Sequence, residues 1–531
     1  MFEKPKLKLK KFYFHPITVF IFLTFIVVLS SKILSLLQMQ ATYNTVNINT
    51  KELEPTLVAV ENLLSFDGIK FIISNATKNF LSFAPLGTLL ISLLGLTIAE
   101  STGFIETVTK RHISKIPKVT ITFLVLFVSI ISSLINEVGY AVLIPLVALV
   151  YFINNRNPIL GIITAFCGVS FGYGVSIFVG SMEVSLINYT KMAAMLVDEN
   201  IHIALTSNLI FIIVASILLS VFGTIIIEKI IAPKIGKYKK EEDTAKTEQY
   251  RLLNIEEEEQ KHIEAEKYGK RGLRFALIVA IVMIILTVYS LIPGLPMSGM
   301  LLDMNESYYL NQLFGERSYF QDGFTFIISL FFMLAGIAYG IGSKSIKNDK
   351  ELIENASRKF HNIGSIFILM FFAAQFISVF RKTNIGTVIT IWLSNLLGHM
   401  NLSGIPLIVI TLLLIAIANL VLTSPASKWM IFSPVVVPMF MQSNISPQFA
   451  QIVLRAADSM TKGFTPLLAS FVIYIGYLNV YNLHKNKPYT IGESLRMVRP
   501  YFLLISLTWI LLIVGWYLIG LPIGPGVLPT I

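Results

Sequence analysis

The sequence predicts an all-α polytopic membrane protein of about nine transmembrane helices plus two re-entrant hairpins, arranged as an inverted repeat. Three observations carry this. The 531-residue chain is 54% apolar and 14% charged, with a mean hydropathy of +0.72, whereas a soluble domain carries about 25% charged residues. Apolar runs long enough to cross a hydrocarbon core of about 30 Å recur along the whole chain. Two distant stretches, each an apolar pair followed by a glycine-interrupted run, align at a constant offset. Formal net charge is +11, but the basic residues fall in short loops between spans, where they set topology and do not form a nucleic-acid surface. The single Cys167 lies inside an apolar run and excludes a disulfide scaffold.

Lys4, Lys6, Lys8, Lys10 and Lys11 precede the first apolar run, about residues 16–37, which is too long for a signal-peptide core. It reads as a retained first span with a cytoplasmic N-terminus. Residues 38–80 are a polar outer stretch, and a second span, about 82–104, returns to Lys110, Arg111, Lys115 and Lys118 inside. Residues 229–272, with Glu256 to Glu259 among many lysines, form a long cytoplasmic loop whose charge run reads as a solvated helix. Spans at about 273–293 and 323–343 enclose an outer loop with Asp303, Glu306, Glu316 and Asp322. Lys344, Lys347, Lys350, Arg358 and Lys359 mark the inside again, and the next span, about 363–381, exits. Lys485, Lys487, Arg496 and Arg499 are inside; a last span, about 500–521, leaves the C-terminus outside an inner, plasma-type membrane.

Two regions do not behave as simple spans. Residues 119–153 hold two apolar arms split by Asn136-Glu137-Val138-Gly139, and both flanks, Lys118 and Arg156, carry inside-type charge. Residues 405–441 are built alike around Thr423-Ser424-Pro425-Ala426-Ser427 and must enter from outside. Each arm is about sixteen residues, or about 24 Å as a helix, short of the core thickness. A glycine-interrupted helix follows each: 158–183, broken at Gly172-Tyr173-Gly174, and 447–480, broken at Lys462-Gly463. At an offset of 289 residues, the pairs Pro145/Pro434, Val147/Val436, Asn155/Asn444, Pro158/Pro447, Ile163/Ile452, Ser170/Ser459, Gly174/Gly463 and Ser181/Ser470 are identical. Opposite membrane orientation of the two copies makes this an inverted repeat, the architecture of secondary transporters, with substrate and ion sites at mid-membrane breaks. The segments are then 1–118 (scaffold), 119–233 (first hairpin, broken helix and a span), 234–272 (charged loop), 273–404 (second scaffold half), 405–482 (second hairpin and broken helix) and 483–531 (last span).

Arg455, Asp458 and Lys462 lie at membrane depth, where a charge costs about 2.5–3.5 kcal/mol on insertion scales and is mostly functional. Arg455 and Asp458 are three apart on one helical face and can neutralise each other as a structural pair; alternatively Arg455 forks a substrate carboxylate while Asp458 orients it or binds an ion. Thr465-Pro466 breaks the helix and frees backbone carbonyls. In the first repeat Ser170, Ser176 and Glu183 occupy the equivalent stretch, Glu183 facing either the site or the outer interface. The tip residues Ser133, Asn136, Glu137, Asn419, Thr423, Ser424 and Ser427, with Thr461 and Thr465, supply oxygens suited to a hard cation, and are also ordinary turn formers. Trp429 is either packing or a stacking platform for an aromatic ligand. Lys462 either snorkels to an interface or places its ammonium where a coupling cation would sit. No HExxH or Walker sequence is present, and the histidines are scattered, so an enzyme or an ATP-driven pump is not expected.

Several stretches resemble the p-aminobenzoyl-glutamate transporter (AbgT) family: Gly95-Leu96-Thr97-Ile98-Ala99-Glu100-Ser101-Thr102-Gly103, Gly139-Tyr140 with Pro145-Leu146, and Gly168-Val169-Ser170 running on to Gly180-Ser181. The resemblance is closer in Ser427-Lys428-Trp429, Pro434, Pro438-Met439, Ser446-Pro447, Arg455 with Asp458-Ser459 and Thr461, Thr465-Pro466-Leu467, and Leu521-Pro522-Ile523-Gly524-Pro525-Gly526. It implies a homodimer and cation-coupled movement, by Na⁺ or H⁺, of p-aminobenzoyl-glutamate or related folate catabolites, with sulfonamide efflux known in the family. It implies functional roles for Trp429, Pro447, Arg455, Asp458 and Pro466. The chain departs from the family at Glu183, where Asp is usual, at Ser176 and Lys462, where small residues or Asn are usual, and at Ala426, where the family has a functional Ser. The expected protein is an elevator-like transporter without cofactor, its partners a small anionic or amphipathic substrate and membrane lipid, with a dicarboxylate or short-peptide transporter as the alternative.

Overall fold

The computed structural model describes residues 14–46, 52–135, 138–238, 255–315, 317–360, 363–484 and 487–531. The N-terminal lysines, Asn136, Glu137, Glu316 and Lys485 lie outside them, as do the side chains of Glu256 to Glu259 and Lys359. In chain order the elements begin with α1 (Pro16–Leu36), β1 (Gln40–Val46), β2 (Leu53–Ala59), α2 (Phe66–Ser74), α3 (Ala76–Leu81), α4 (Ala84–Ser101) and α5 (Phe104–Arg111). The first repeat follows as α6 (Lys118–Ile135, its last turn 3₁₀), α7 (Val138–Ile153), α8 (Pro158–Phe171), α9 (Ser181–Ala194) and α10 (Leu209–Ile235). Next come α11 (Ile255–Tyr289), α12 (Tyr309–Phe314), α13 (Tyr319–Ser343), α14 (Asp349–Phe360), α15 (Gly364–Lys382) and α16 (Ile385–Gly398). The second repeat is α17 (Gly404–Asn419), α18 (Pro425–Gln442), α19 (Pro447–Thr461) and α20 (Phe471–Val480), followed by α21 (Ile491–Ile519).

The fold is helical, and eight of the described helices are long and apolar enough to cross a membrane: α1, α4, α6, α10, α11, α13, α15 and α21. The spans read from the sequence fall on these helices or inside them. Of the four hairpin arms, α6 and α18 are 18 residues long and α7 and α17 are 16, and among them α6 alone is also apolar enough to count among the eight. Two features were not foreseen. The stretch 38–80 is not irregular: β1 and β2 pair antiparallel from Gln40↔Ala59 to Val46↔Leu53. This ribbon is held on α16 by the Trp392 indole N–H donating to Gln40 O (3.3 Å) and the Asn395 amide donating to Thr42 O (3.0 Å). The 14-residue α16, between the expected exit of α15 and the second hairpin, is the second. The helix expected of the charge run is present over residues 255–272 and is continuous with the following span.

α4, α11 and α13 pack through small residues that let backbones meet. A Cβ on Gly95 would lie 2.1 Å from Ser329 O, and one on Gly336 would lie 2.7 Å from Ala99 Cα. Ser329 locks the crossing by donating to Ile91 O (2.5 Å) and accepting from Gly95 N (3.1 Å).

Residues paired at the 289-residue offset occupy the same places in the two repeats. Pro145 and Pro434 lie inside α7 and α18. Asn155 (φ 52°) and Asn444 (φ 58°) take the left-handed position just after those helices, where Asn is tolerated. Pro158 and Pro447 open α8 and α19 at the first helical position, behind the side-chain caps Asn157 and Ser446. α8 and α19 then stop at the expected breaks, α8 before Gly172 and α19 in a 3₁₀ turn, Lys462–Phe464. The residues Leu521 to Gly526 begin a terminal segment that folds back onto the repeats: Phe211 N donates to Ile523 O (3.0 Å), and Ser446 N to Pro529 O (2.8 Å).

Candidate functional site

The two breaks meet. Gly174 lies against α19: its N–H donates to Ser459 Oγ (2.7 Å), and a Cβ there would come within 2.4 Å of Arg455 O. Gly463, its counterpart, lies against α8, where a Cβ would sit 2.8 Å from Ser170 Cβ and the Phe171 ring. So each repeat's glycine touches the other repeat's serine, Gly174 on Ser459 and Gly463 on Ser170. At the counterpart positions 173 and 462, the Lys462 ammonium lies over the Tyr173 ring, 3.2 Å from its centroid. These reciprocal contacts are what a pseudo-twofold relation between the repeats produces.

Two buried ion pairs flank this junction. Arg455, 3% exposed, pairs with Glu183 and donates through Nε to Gly174 O at 2.7 Å. Glu183 opens α9, and its other oxygen accepts from Gly180 N (2.8 Å), so one carboxylate caps a half-helix and holds the guanidinium. This places Glu183 at the site and not at the outer interface. Asp458, fully buried, pairs with Lys428 on α18. Arg455 and Asp458, on one face of α19, therefore do not neutralise each other; each reaches a different neighbour. Arg455 bridges to the first repeat and Asp458 to the second helix pair. A buried charge is tolerated only with such a partner.

The tip between α17 and α18 completes the second pair. The Lys428 ammonium also donates to Asn419 Oδ1 and to Leu422 O (2.9 Å). The Asn419 amide donates to Asp458 O (2.9 Å) and Thr461 Oγ1 (3.1 Å), Thr461 donates to Ala416 O (2.9 Å), and Thr465 donates to Leu420 O (2.9 Å). Of the expected oxygen donors, Asn419, Thr461 and Thr465 are thus brought to Asp458 or to the tip beside it. Ser424 and Ser427 are not: Ser424 caps α18, accepting from Ser427 N (3.3 Å) and from Ser427 Oγ (3.0 Å). Thr423 lies between them and the end of α17. Ser133 ties the first tip to the first break, donating to Ile130 O and Val175 O (both 2.8 Å), and Ser176 closes its own loop onto Phe178 O (2.5 Å). Ser170 accepts from the Tyr140 hydroxyl at 3.4 Å.

Trp429 is fully enclosed and its indole N–H donates to Thr190 Oγ1 on α9 (2.8 Å), so here it joins the second tip to the first repeat. Pro447 stands at the far end of α19 from the break, and Pro466 follows Thr465, whose extended backbone (φ −130°, ψ 135°) is the geometry a following proline imposes. Lys462 is 1% exposed, so it does not reach an interface. The ammonium at Asp458 belongs to Lys428, which sequence reasoning noted only within a motif; its signal was a lysine one turn into an apolar helix. A further ion pair, with Glu228 partly buried, was also missed. Arg156, read as a flanking inside charge, bonds Glu228 through Nη2 (2.6 Å) and Thr122 through Nη1 (3.0 Å), at a π-helical turn of α10.

Cavities lie elsewhere. One of about 580 Å³ is lined by Lys234, Lys237, Tyr238, His484 and Arg496 among others; another, of about 620 Å³, by Glu100, Glu106, Lys110 and Arg156 among others. Neither lining includes Arg455, Lys428, Asp458 or Lys462, and all four side chains are buried among the described residues.

The AbgT putative transporter family matches residues 10–531 of this chain. The p-aminobenzoyl-glutamate transport protein of Escherichia coli (strain K12) is 29% identical over 518 residues, covering 97% of this chain and 94% of that protein. Two solved structures also align. The Alcanivorax borkumensis YdaH transporter, whose crystal structure is described as revealing an unusual topology, is 27% identical, with 96% of this chain and 100% of that chain covered and a TM-score of 0.47. Neisseria gonorrhoeae MtrF, described as illuminating a class of antimetabolite efflux pumps, is 30% identical, with 97% and 98% covered and a TM-score of 0.47.

Proposed function

The chain belongs to the AbgT putative transporter family of integral membrane proteins, and from that premise we propose that it is a cation-coupled secondary transporter of p-aminobenzoyl-glutamate or a related aromatic carboxylate. The observation that carries this reading is the buried Arg455–Glu183 pair at the junction of two interrupted helices. A guanidinium already held by one carboxylate presents the fork that a substrate carboxylate would compete for. The two repeats would move against the scaffold built by α4, α11 and α13, carrying this junction from one side to the other. The substrate class is supported by the name of the Escherichia coli relative, whose match spans nearly the whole chain. Na⁺ or H⁺ would drive transport, the protein would be a homodimer in the plasma membrane with N-terminus inside and C-terminus outside, and the paired arms α6–α7 and α17–α18 would be re-entrant.

Proteoliposomes holding the purified protein, given p-aminobenzoyl-glutamate, sulfonamides, succinate or dipeptides under imposed Na⁺ or H⁺ gradients, test the reading. Gradient-driven flux of p-aminobenzoyl-glutamate, lost in Arg455→Ala and not restored by Arg455→Lys, is the expected result, since an ammonium cannot reproduce the planar fork. Flux of succinate or dipeptide without flux of p-aminobenzoyl-glutamate would replace the substrate assignment.

A further inference from the structure

We propose that Lys428 is a tethered cation: its ammonium fills a cage of oxygens at the tip of the second helix pair, and while it is there the Asp458 carboxylate is closed to Na⁺. The sequence placed this idea at Lys462; the geometry points to Lys428. Lys428 is fully buried, and its Nζ meets three acceptors, Asn419 Oδ1, Leu422 O and Asp458 Oδ1. An ammonium has three donors and no acceptor; two hydrogen-bond Asn419 Oδ1 and Leu422 O, and the contact with Asp458 Oδ1 is an ion pair. The three partners are an amide oxygen, a backbone carbonyl and a carboxylate, the oxygen types that a hard cation collects.

The cage is built independently of the lysine. The Asn419 amide nitrogen is committed to Asp458 O and Thr461 Oγ1, which turns Oδ1 toward the cage centre. Thr461 is itself fixed by donating to Ala416 O. Leu422 O lies in the gap between the end of α17 at Asn419 and the start of α18 at Pro425. Asp458 keeps unused capacity: Oδ2 is buried without a hydrogen-bond partner among the described residues. A structural ion pair needs only the charge of its partner; a cage whose oxygens are oriented by further hydrogen bonds is a coordination site. The first repeat has no lysine at the counterpart position: 289 residues before Lys428 stands Gly139, where a Cβ would lie 2.1 Å from Ser132 Oγ.

The inference rests on the cation-coupled reading only for what the cage does during transport; its occupancy is tested without transport. Purified full-length protein in nanodiscs would be examined for ²²Na⁺ binding, and for thermal unfolding in NaCl against choline chloride at equal ionic strength. Wild type is expected to show no saturable Na⁺ binding that Asp458→Asn removes, and no NaCl-specific shift in Tm. Lys428→Ala, which vacates the cage, gains saturable binding of about one Na⁺ per chain and a NaCl-specific rise in Tm through ligand linkage. Adding Asp458→Asn abolishes both, and Lys428→Met, which fills the space with an apolar chain, gains neither. A folded Lys428→Ala protein without Na⁺ binding would overturn the proposal. If Lys428→Ala does not fold, wild type decides: Na⁺ binding that Asp458→Asn removes overturns the proposal, and its absence upholds it. Failure of every substrate in the flux assay would sink the transport reading and leave these binding results standing.

Discussion

Arg455 and Glu183 show what a buried charge requires of its surroundings. The guanidinium has Gly174 O and a carboxylate, and the carboxylate has the guanidinium and Gly180 N. Removing one side strands the other in a dry place, which costs about 3–5 kcal/mol. Glu183→Ala is therefore expected to lower Tm steeply. A double replacement, Glu183→Gln with Arg455→Met, should recover most of the loss, because no lone charge is left; thermal unfolding of the four proteins reads the cycle. Additive losses would mean that the pair is not coupled. Glu183 is a carboxylate one methylene longer than the family's usual Asp. Glu183→Asp shortens the reach to Arg455 and should weaken substrate affinity more than it lowers Tm.

At the scale of elements, the breaks work because two glycines let two helices touch. The contacts are unequal. A methyl on Gly174 strikes the backbone carbonyl of Arg455, which cannot move without unwinding α19, whereas one on Gly463 meets the Phe171 ring and a Ser170 side chain. Gly174→Ala should cost about 1–3 kcal/mol, the range for overpacking, and more than Gly463→Ala; the order of the two Tm values is the check. The helix pairs allow a second test. Lys118 and Asn155 flank α6–α7 and are exposed, as are Asn401 and Gln442 around α17–α18. Single cysteines there, in a Cys167→Ala background, should both label from the cytoplasm in the first pair and both from outside in the second. Labelling from opposite sides within either pair would make that pair two complete spans.

At the scale of the whole molecule, both ion pairs are buried among the described residues and the large cavities lie away from them. The bonds of Arg156 to Glu228, Thr122 and Lys118 O fasten the base of α6 to α10 beside the cavity that Arg156 lines with Glu100. Arg156→Gln should loosen that fastening. Cysteine labelling at position 155, followed in time under the conditions above, is expected to be faster in the variant than in the protein that keeps Arg156. Unchanged labelling would make the network a static brace. The proposed homodimer is tested by light scattering of the purified protein in detergent, where a monomer mass would overturn it.

Sequence alone determined the helical class, the positions of the long apolar helices, the two breaks and the pairing of positions across 289 residues. These properties are local or periodic: hydropathy over about 20 residues selects a span, Pro and Gly punctuate helices, and a repeat copies its own caps, as Asn155/Asn444 and Pro158/Pro447 do. It also singled out most of the residues that meet at the breaks, since a charge in an apolar run stands out wherever it lies. Spacing could not say who partners whom. Arg455 and Asp458 share a helical face, yet their partners, Glu183 and Lys428, lie far apart in the chain and converge only because the two breaks cross. The ribbon of β1 and β2 was illegible for a related reason: it is held by indole and amide donors on α16, more than 350 residues away in its longest contact. Tertiary structure decided these pairings because a buried donor, acceptor or charge is satisfied by whatever group the packing brings within about 3 Å, and distance along the chain does not constrain that choice.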